Sequence, residues 1–199
     1  MTERKARADV VRNRQAVFDA ADELFSRSDS PGSVTMADVA AAAGVGKGTL
    51  FRRFGDRTGL IRALVGARLA AVREAVESGP APLGPGGPPR ERVLALLDAV
   101  LRFKLENRHL SLLLEESGSG SPYQAEHYTW WHGALRDTLR QIPGTGDGGF
   151  TAHALLAATR ADLVEHLTSQ EGATGKKLRK DLAAYAAGVL DAASVQKGA

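Results

Sequence analysis

No cysteine occurs in the 199 residues, and no apolar run reaches the length of a membrane span. The first absence excludes disulfides and thiolate metal sites and fits a reducing, cytoplasmic compartment. The second excludes a membrane-spanning helix. The basic N-terminus, MTERKARADVVRNRQ, has no apolar stretch behind it and so does not read as a secretory signal. No internal repeat is present.

Catalytic and metal motifs are missing as well. Glu106 and His109 form an E-x-x-H pair, but a di-iron bundle needs two such pairs and H-E-x-x-H does not occur, so this one reads as an exposed helix-end pair. His127, His132, His153 and His166 fall on two helices without repeated ligand spacing, and no metal or other cofactor is expected. The run PGTGDGG lacks the Lys-Ser/Thr of a phosphate loop and the strand that should precede it, so it reads as a turn. Nothing resembles a nucleophile elbow, and an enzyme is not expected.

The hydrophobic content, 43%, is ordinary for a globular chain long enough for one large or two modest cores. The net charge of +3 is unevenly spread: residues 1–72 carry 12 Lys+Arg against 8 Asp+Glu, and the rest 14 against 15. A positive first third joined to a neutral remainder is the electrostatic footprint of a nucleic-acid-binding module with a second module attached.

That first third contains the most informative stretch, VTMADVAAAAGVGKGTLFRRFGDRTGL, residues 34–60. Thr35 can cap a helix start, Asp38 stands three positions on as the capping-box partner, and Val39 and Ala42 are expected to face inward. Gly44 stops that helix by taking a positive φ. A second helix then starts almost at once. Leu50 and Phe54, four apart, plug it into a small core and leave Lys47, Thr49, Arg52 and Arg53 outside. Gly48 costs about 1 kcal/mol relative to alanine inside a helix, which points either to close approach of a phosphate or base edge or to a frayed turn. Asp56 caps the next helix. Arg57, a cation in that helix's first turn, opposes the dipole and is read as serving a negative group outside the protein.

Two short helices across a tight glycine turn form a helix-turn-helix, and this run closely resembles the DNA-binding signature of TetR-family transcriptional regulators. The resemblance implies DNA contacts at Thr35, Lys47, Gly48, Thr49, Phe51 and Arg57. The family usually has tyrosine at Phe51 and often serine at Gly46, so two hydroxyl donors are absent here, and Arg52 and Arg53 are expected to take up part of that duty.

The remaining pattern is all-α, about nine helices in total. The first helix spans about Asp9 to Arg27, with Val10, Val17, Phe18, Ala21, Leu24 and Phe25 on one face and a short basic arm, Arg4, Lys5 and Arg7, ahead of it. The loop SRSDSPGS leads into Thr35. A helix over 56–78 connects a DNA-binding domain of residues 1–57 to a ligand-binding and dimerisation domain of residues 58–199. SGPAPLGPGGPPR, residues 78–90, interrupts helicity. Further helices follow at 90–107, 109–116, 123–142, 150–168 and 176–195, with the loop SGSGSP before Tyr123.

Within the second part, Lys104, Arg108 and Arg160 share helical stripes with leucines. They either snorkel from the margins or line a ligand pocket together with Trp130 or Trp131. Leu178, Leu182, Tyr185 and Val189 form an apolar stripe on an alanine-rich last helix, which is either a core face or, as the resemblance implies, part of a homodimer interface. The expected partners are a duplex DNA operator, a small-molecule effector and a second copy of the chain. The function implied is a ligand-responsive transcriptional repressor, released from a palindromic operator by a small molecule that shifts the population away from the DNA-binding conformer. The alternatives are a constitutive DNA-binding protein without effector and an all-α enzyme.

Overall fold

The computed structural model describes the backbone of residues 2–28, 31–116 and 121–195; the side chains of Arg4, Lys5, Arg7 and Val10 and parts of the loops SRSDSPGS and SGSGSP lie outside the described residues. Among the described residues there are ten α-helices, two 3-10 turns at Pro31–Ser33 and Pro122–Gln124, and no strand. The helices are α1 (Thr2–Arg27), α2 (Met36–Ala42), α3 (Lys47–Phe54), α4 (Arg57–Ser78), α5 (Pro89–Glu106), α6 (Arg108–Glu116), α7 (Glu126–Leu139), α8 (Gly149–Ala157), α9 (Ala161–Ser169) and α10 (Gly175–Val195). They form two compact units, Met1–Ala67 with His109–Gly118 and Arg68–Arg108 with Ser119–Ala199. The first unit thus reaches beyond residue 57, because the start of α4 and nearly all of α6 bury their leucines in it.

The core of the first unit follows from the apolar stripe of α1. Val17, Phe18, Ala21 and Phe25 are buried, together with Val39, Leu50, Leu60 and Ile61. Each fully buried Phe or Leu contributes about 1.5–3 kcal/mol relative to exposure. From α6, Leu110 and Leu113 join them, and His109 Nε2 lies 3.0 Å from Asp22 Oδ1 of α1. Helix α1 spans Thr2–Arg27 rather than starting near Asp9, so Arg4, Lys5 and Arg7, expected as an arm, fall within it. In α2 the inward face is Met36, Val39 and Ala40, at i, i+3 and i+4, while Ala42 is exposed. The expectation for Ala42 fails because the short helix turns its last residue outward.

The second unit is built round α5, which packs against α10, α7 and α9. Its expected face, Val93, Leu97, Val100 and Leu101, is buried, as are Trp131, Leu135 and Leu139 of α7. Arg179 of α10 grips Asp98 of α5 with two hydrogen bonds, 2.5 and 2.9 Å, and Arg90 Nη2 meets Asp191 at 2.7 Å. The 79–88 segment is a closed loop, in which the Gly84 amide donates to the Pro80 carbonyl at 2.9 Å.

The helix expected over 150–168 is two helices. Buried Thr159 donates its hydroxyl to the Leu156 carbonyl at 2.8 Å, offering the backbone an alternative to helix continuation. Arg160 is then extended (φ −57°, ψ 142°), and Asp162 accepts from the Leu163 amide at 2.8 Å in the first turn of α9.

Candidate nucleic-acid interface

Thr35 and Asp38 fix the start of α2 reciprocally. The Asp38 amide donates to Thr35 Oγ1 at 3.2 Å, while the Thr35 amide and hydroxyl donate to Asp38 Oδ2 at 2.8 and 2.7 Å. These bonds, the hydroxyl first, hold the Asp38 carboxyl below its ordinary range. The Thr35 hydroxyl proton is therefore engaged inside the protein. Gly44 takes φ +65°, the left-handed turn that brings the chain into α3.

Helix α3 divides its residues as its periodicity requires. Leu50 is 1% exposed and anchors the helix, and Phe54 packs on Phe18 with ring centroids 6.0 Å apart. Lys47, Gly48, Thr49, Phe51, Arg52 and Arg53 are exposed. Lys47 Nζ sits 5.9 Å from the centre of the Phe51 ring, and the Arg53 guanidinium 5.7 Å from that of Phe54, placing cations beside apolar plates. Gly46, at the N-cap, gives no side-chain hydrogen bond, so the first turn of α3 keeps donors for an external anion. A Cβ built on Gly48 meets nothing within 4 Å. No intramolecular neighbour demands glycine there, which leaves room for an outside surface as its use.

Arg57 departs from the outward reading. It is half-buried, its Nε donates to the Val34 carbonyl at 3.0 Å, and its guanidinium lies 5.2 Å from the centre of the Phe25 ring. The negative partners assigned to DNA are available at home: a carbonyl just ahead of α2 and a ring face on α1. Asp56 caps α4 as expected, accepting from the Gly59 amide at 2.7 Å. A Cβ on Gly59 would stand 2.0 Å from the Phe54 carbonyl oxygen, so the α3–α4 corner closes only around glycine.

The five residues considered for a ligand pocket differ in exposure and in partners. Trp131 is buried, whereas half-buried Trp130 donates to Glu77 at 2.9 Å and stacks under Arg73. Arg108 donates to Glu165 at 2.8 Å and to Ser169 at 2.6 Å, and the Ser169 hydroxyl donates to Glu165 Oε1 at 2.6 Å; the serine bond first and Arg108 next hold the Glu165 carboxyl below its ordinary range. Arg160 is exposed and paired with Asp162, and Lys104 is half-buried. Leu178 and Leu182 are buried in the second unit's own core and Val189 is half-buried, so the stripe chosen for the dimer is largely the inward face of α10. Tyr185, 49% exposed, is its outward member.

One cluster was not foreseen. His132 and His153 stack with centroids 3.9 Å apart, and Tyr128 Oη lies 2.6 Å from His153 Nδ1. The residues sit on α7 and α8, and no local spacing announces the contact. Of the E-x-x-H pair, half-buried His109 faces Asp22 within the first unit, and Glu106 is exposed.

Residues 17–64 match the model of bacterial regulatory proteins of the TetR family. An HTH-type transcriptional repressor of Mycolicibacterium smegmatis, LfrR, is 45% identical over 53 residues, which are 27% of this chain and 26% of that protein. An HTH-type transcriptional regulator of Staphylococcus aureus is 28% identical over 119 residues, 60% of this chain and 62% of the relative. The chain therefore spans less than two thirds of either relative it matches in sequence. Among solved structures, a TetR-family transcriptional regulator from Rhodococcus sp. shares the fold with a TM-score of 0.66 at 23% identity, covering 89% of this chain and 98% of that one. LfrR in complex with proflavine does so with a TM-score of 0.55 at 20% identity, covering 90% and 96%. Residues 17–64 thus carry the segment that the TetR-family model describes, and the helical architecture is one that solved TetR-family structures share.

Proposed function

We propose that the protein is a dimeric transcriptional repressor that reads a palindromic operator through α3 and is released from it by a small organic effector. The observation that carries the DNA half is the outward face of α3, where Lys47, Gly48 and Thr49 are exposed and Gly48 leaves an opening no internal contact needs. Such a face suits a major groove, with the amides of the first turn toward a phosphate. Thr35, Phe51, Arg52, Arg53 and Arg57 complete the proposed reader, Arg57 acting through Val34 and Phe25 as a positioning residue. Similarity to a protein named as a repressor supports the direction of control, and a relative bound to proflavine supports an effector.

The proposed dimer uses the outer side of α10 rather than its leucine stripe. Ala184, Gly188 and Ala192 are exposed four residues apart beside Tyr185, and a Cβ on Gly188 meets nothing within 4 Å, so a second helix can approach closely. Exposed Leu163 of α9 adds apolar surface. A two-fold pair of readers places half-sites about 34 Å apart or a small multiple of that. Selection of bound duplex from a random pool tests the reading: an inverted repeat is expected, bound more weakly as salt rises. Recovery of no preferred sequence, or an affinity independent of salt, overturns it.

A further inference from the structure

One cation of the first unit, Arg14 of α1, lies outside the reader described so far. It is exposed, and the residues three and four positions away on either side, Val10, Val11, Val17 and Phe18, give it no carboxylate. Asp19, five positions on, accepts instead from the Gln15 side-chain amide at 2.8 Å. At the far end of the same helix Arg27 is used differently, paired with Glu23 at 2.6 Å. What Arg14 meets is a ring, with its guanidinium 5.0 Å from the centre of Phe18.

That ring joins α1 to the DNA-reading helix. Phe18 is only 5% exposed and packs on Phe54 of α3 with centroids 6.0 Å apart, and Phe54 in turn lies 5.7 Å from the Arg53 guanidinium. Two phenyl rings, one from each helix, thus carry two guanidiniums along one ledge. The distances of 5.0 and 6.0 Å keep the Arg14 guanidinium within 11 Å of the Phe54 ring centre. The major groove of duplex DNA is about 12 Å wide. A helix seated in it therefore has a rim of phosphates on either side, at about the distance that separates Arg14 from the end of α3.

We infer that Arg14 holds a backbone phosphate of the duplex whose major groove α3 enters, a role that rests on the DNA reading proposed for α3 and extends the interface to α1. A guanidinium stacked on a ring is held by its face and keeps its in-plane N–H donors for an outside acceptor. Its rotamer freedom is already reduced, so less is lost when a phosphate arrives. The contact is a charge-assisted hydrogen bond to phosphate oxygen, which carries no base information. Arg14 accordingly contributes to affinity on any sequence and leaves sequence preference to α3.

Anisotropy titrations of the full chain across salt concentrations, with the duplex recovered by selection and an unrelated duplex of equal length, test this role. Arg14→Gln is expected to weaken binding to both duplexes by about tenfold or more and to lower the salt slope by about one per bound protomer. Arg14→Lys keeps the charge without the planar fork and is expected to keep the slope. Backbone dichroism at the titration temperature verifies that each variant is folded. A parental slope in Arg14→Gln, or a loss confined to the selected duplex, overturns the phosphate contact and leaves the α3 reading intact. A slope lowered equally in Arg14→Lys assigns the effect to packing on Phe18 and overturns it as well. A parent that binds neither duplex removes the α3 reading itself, and the Arg14 contact with it.

Discussion

The cations of the two units are used in opposite ways. In the second unit Arg90, Arg108, Arg160, Lys177 and Arg179 each lie on a carboxylate of their own unit. On α3, Lys47 and Arg52 have no carboxylate partner among the described residues; Lys47 leans on an aromatic ring instead. Charge that is neutralised locally stabilises a fold only modestly at exposed sites. Charge left unmatched on one helix face is available to a polyanion. The contrast separates residues that hold a shape from residues that present one, and Arg57, in the first unit yet turned inward, shows that unit and role do not coincide.

The contrast breaks most visibly at Lys47. Lys47→Ala should cost about 1–3 kcal/mol of operator binding and lower the salt slope by about one, with thermal stability unchanged. Anisotropy titrations of labelled operator across salt concentrations check it, and an unchanged slope would mean Lys47 faces no phosphate. Arg57→Lys sharpens the comparison from the other side: charge is kept but the fork over Phe25 and Val34 is lost. Stability should fall by about 1 kcal/mol in urea melts followed by circular dichroism, while the salt slope stays put. A lowered slope with full stability would return Arg57 to the DNA.

Gly48→Ala pulls the two roles apart in one residue. Alanine should stabilise α3 by up to about 1 kcal/mol, since its Cβ meets nothing, and at the same time weaken operator binding. A variant that gains both stability and affinity would sink the reading of Gly48 as an opening for DNA. The smallest effect concerns acid. Asp38 is held below its ordinary value by the Thr35 hydroxyl and then the Thr35 amide, so its contribution is present above the unfolded-state value and is lost as pH falls through the lower folded-state value. Melts of the parent from neutral pH downward should show this loss setting in below about pH 4, and Asp38→Asn should flatten that portion of the curve.

What the sequence disclosed depended on the range of the interaction. The Thr35–Asp38 box, the Gly44 turn, the Asp56 cap and the buried faces of α1 and α5 are local patterns, each legible within a few residues. Thr159 was harder, because no glycine or proline marks the break between α8 and α9, and the side-chain bond to Leu156 competes silently with the helix. Arg57, the His132–His153 stack and the inward leucines of α10 depend on what lies across the fold. Spacing along one helix says which residues share a face, but not whether that face meets solvent, another helix or a second molecule.

The tryptophan pair has a practical consequence. Both tryptophans of the chain, Trp130 and Trp131, sit on α7 with rings 4.5 Å apart and inclined at 63°. Indoles that close and tilted couple as excitons and give a paired circular-dichroism signal that vanishes when α7 loses its packing. With no indole in the first unit, tryptophan fluorescence is blind to α2 and α3, while backbone dichroism sees every helix. Superimposable denaturation curves from the two signals would mean that both units melt as one cooperative body, and a separation between them would measure how far each stands on its own.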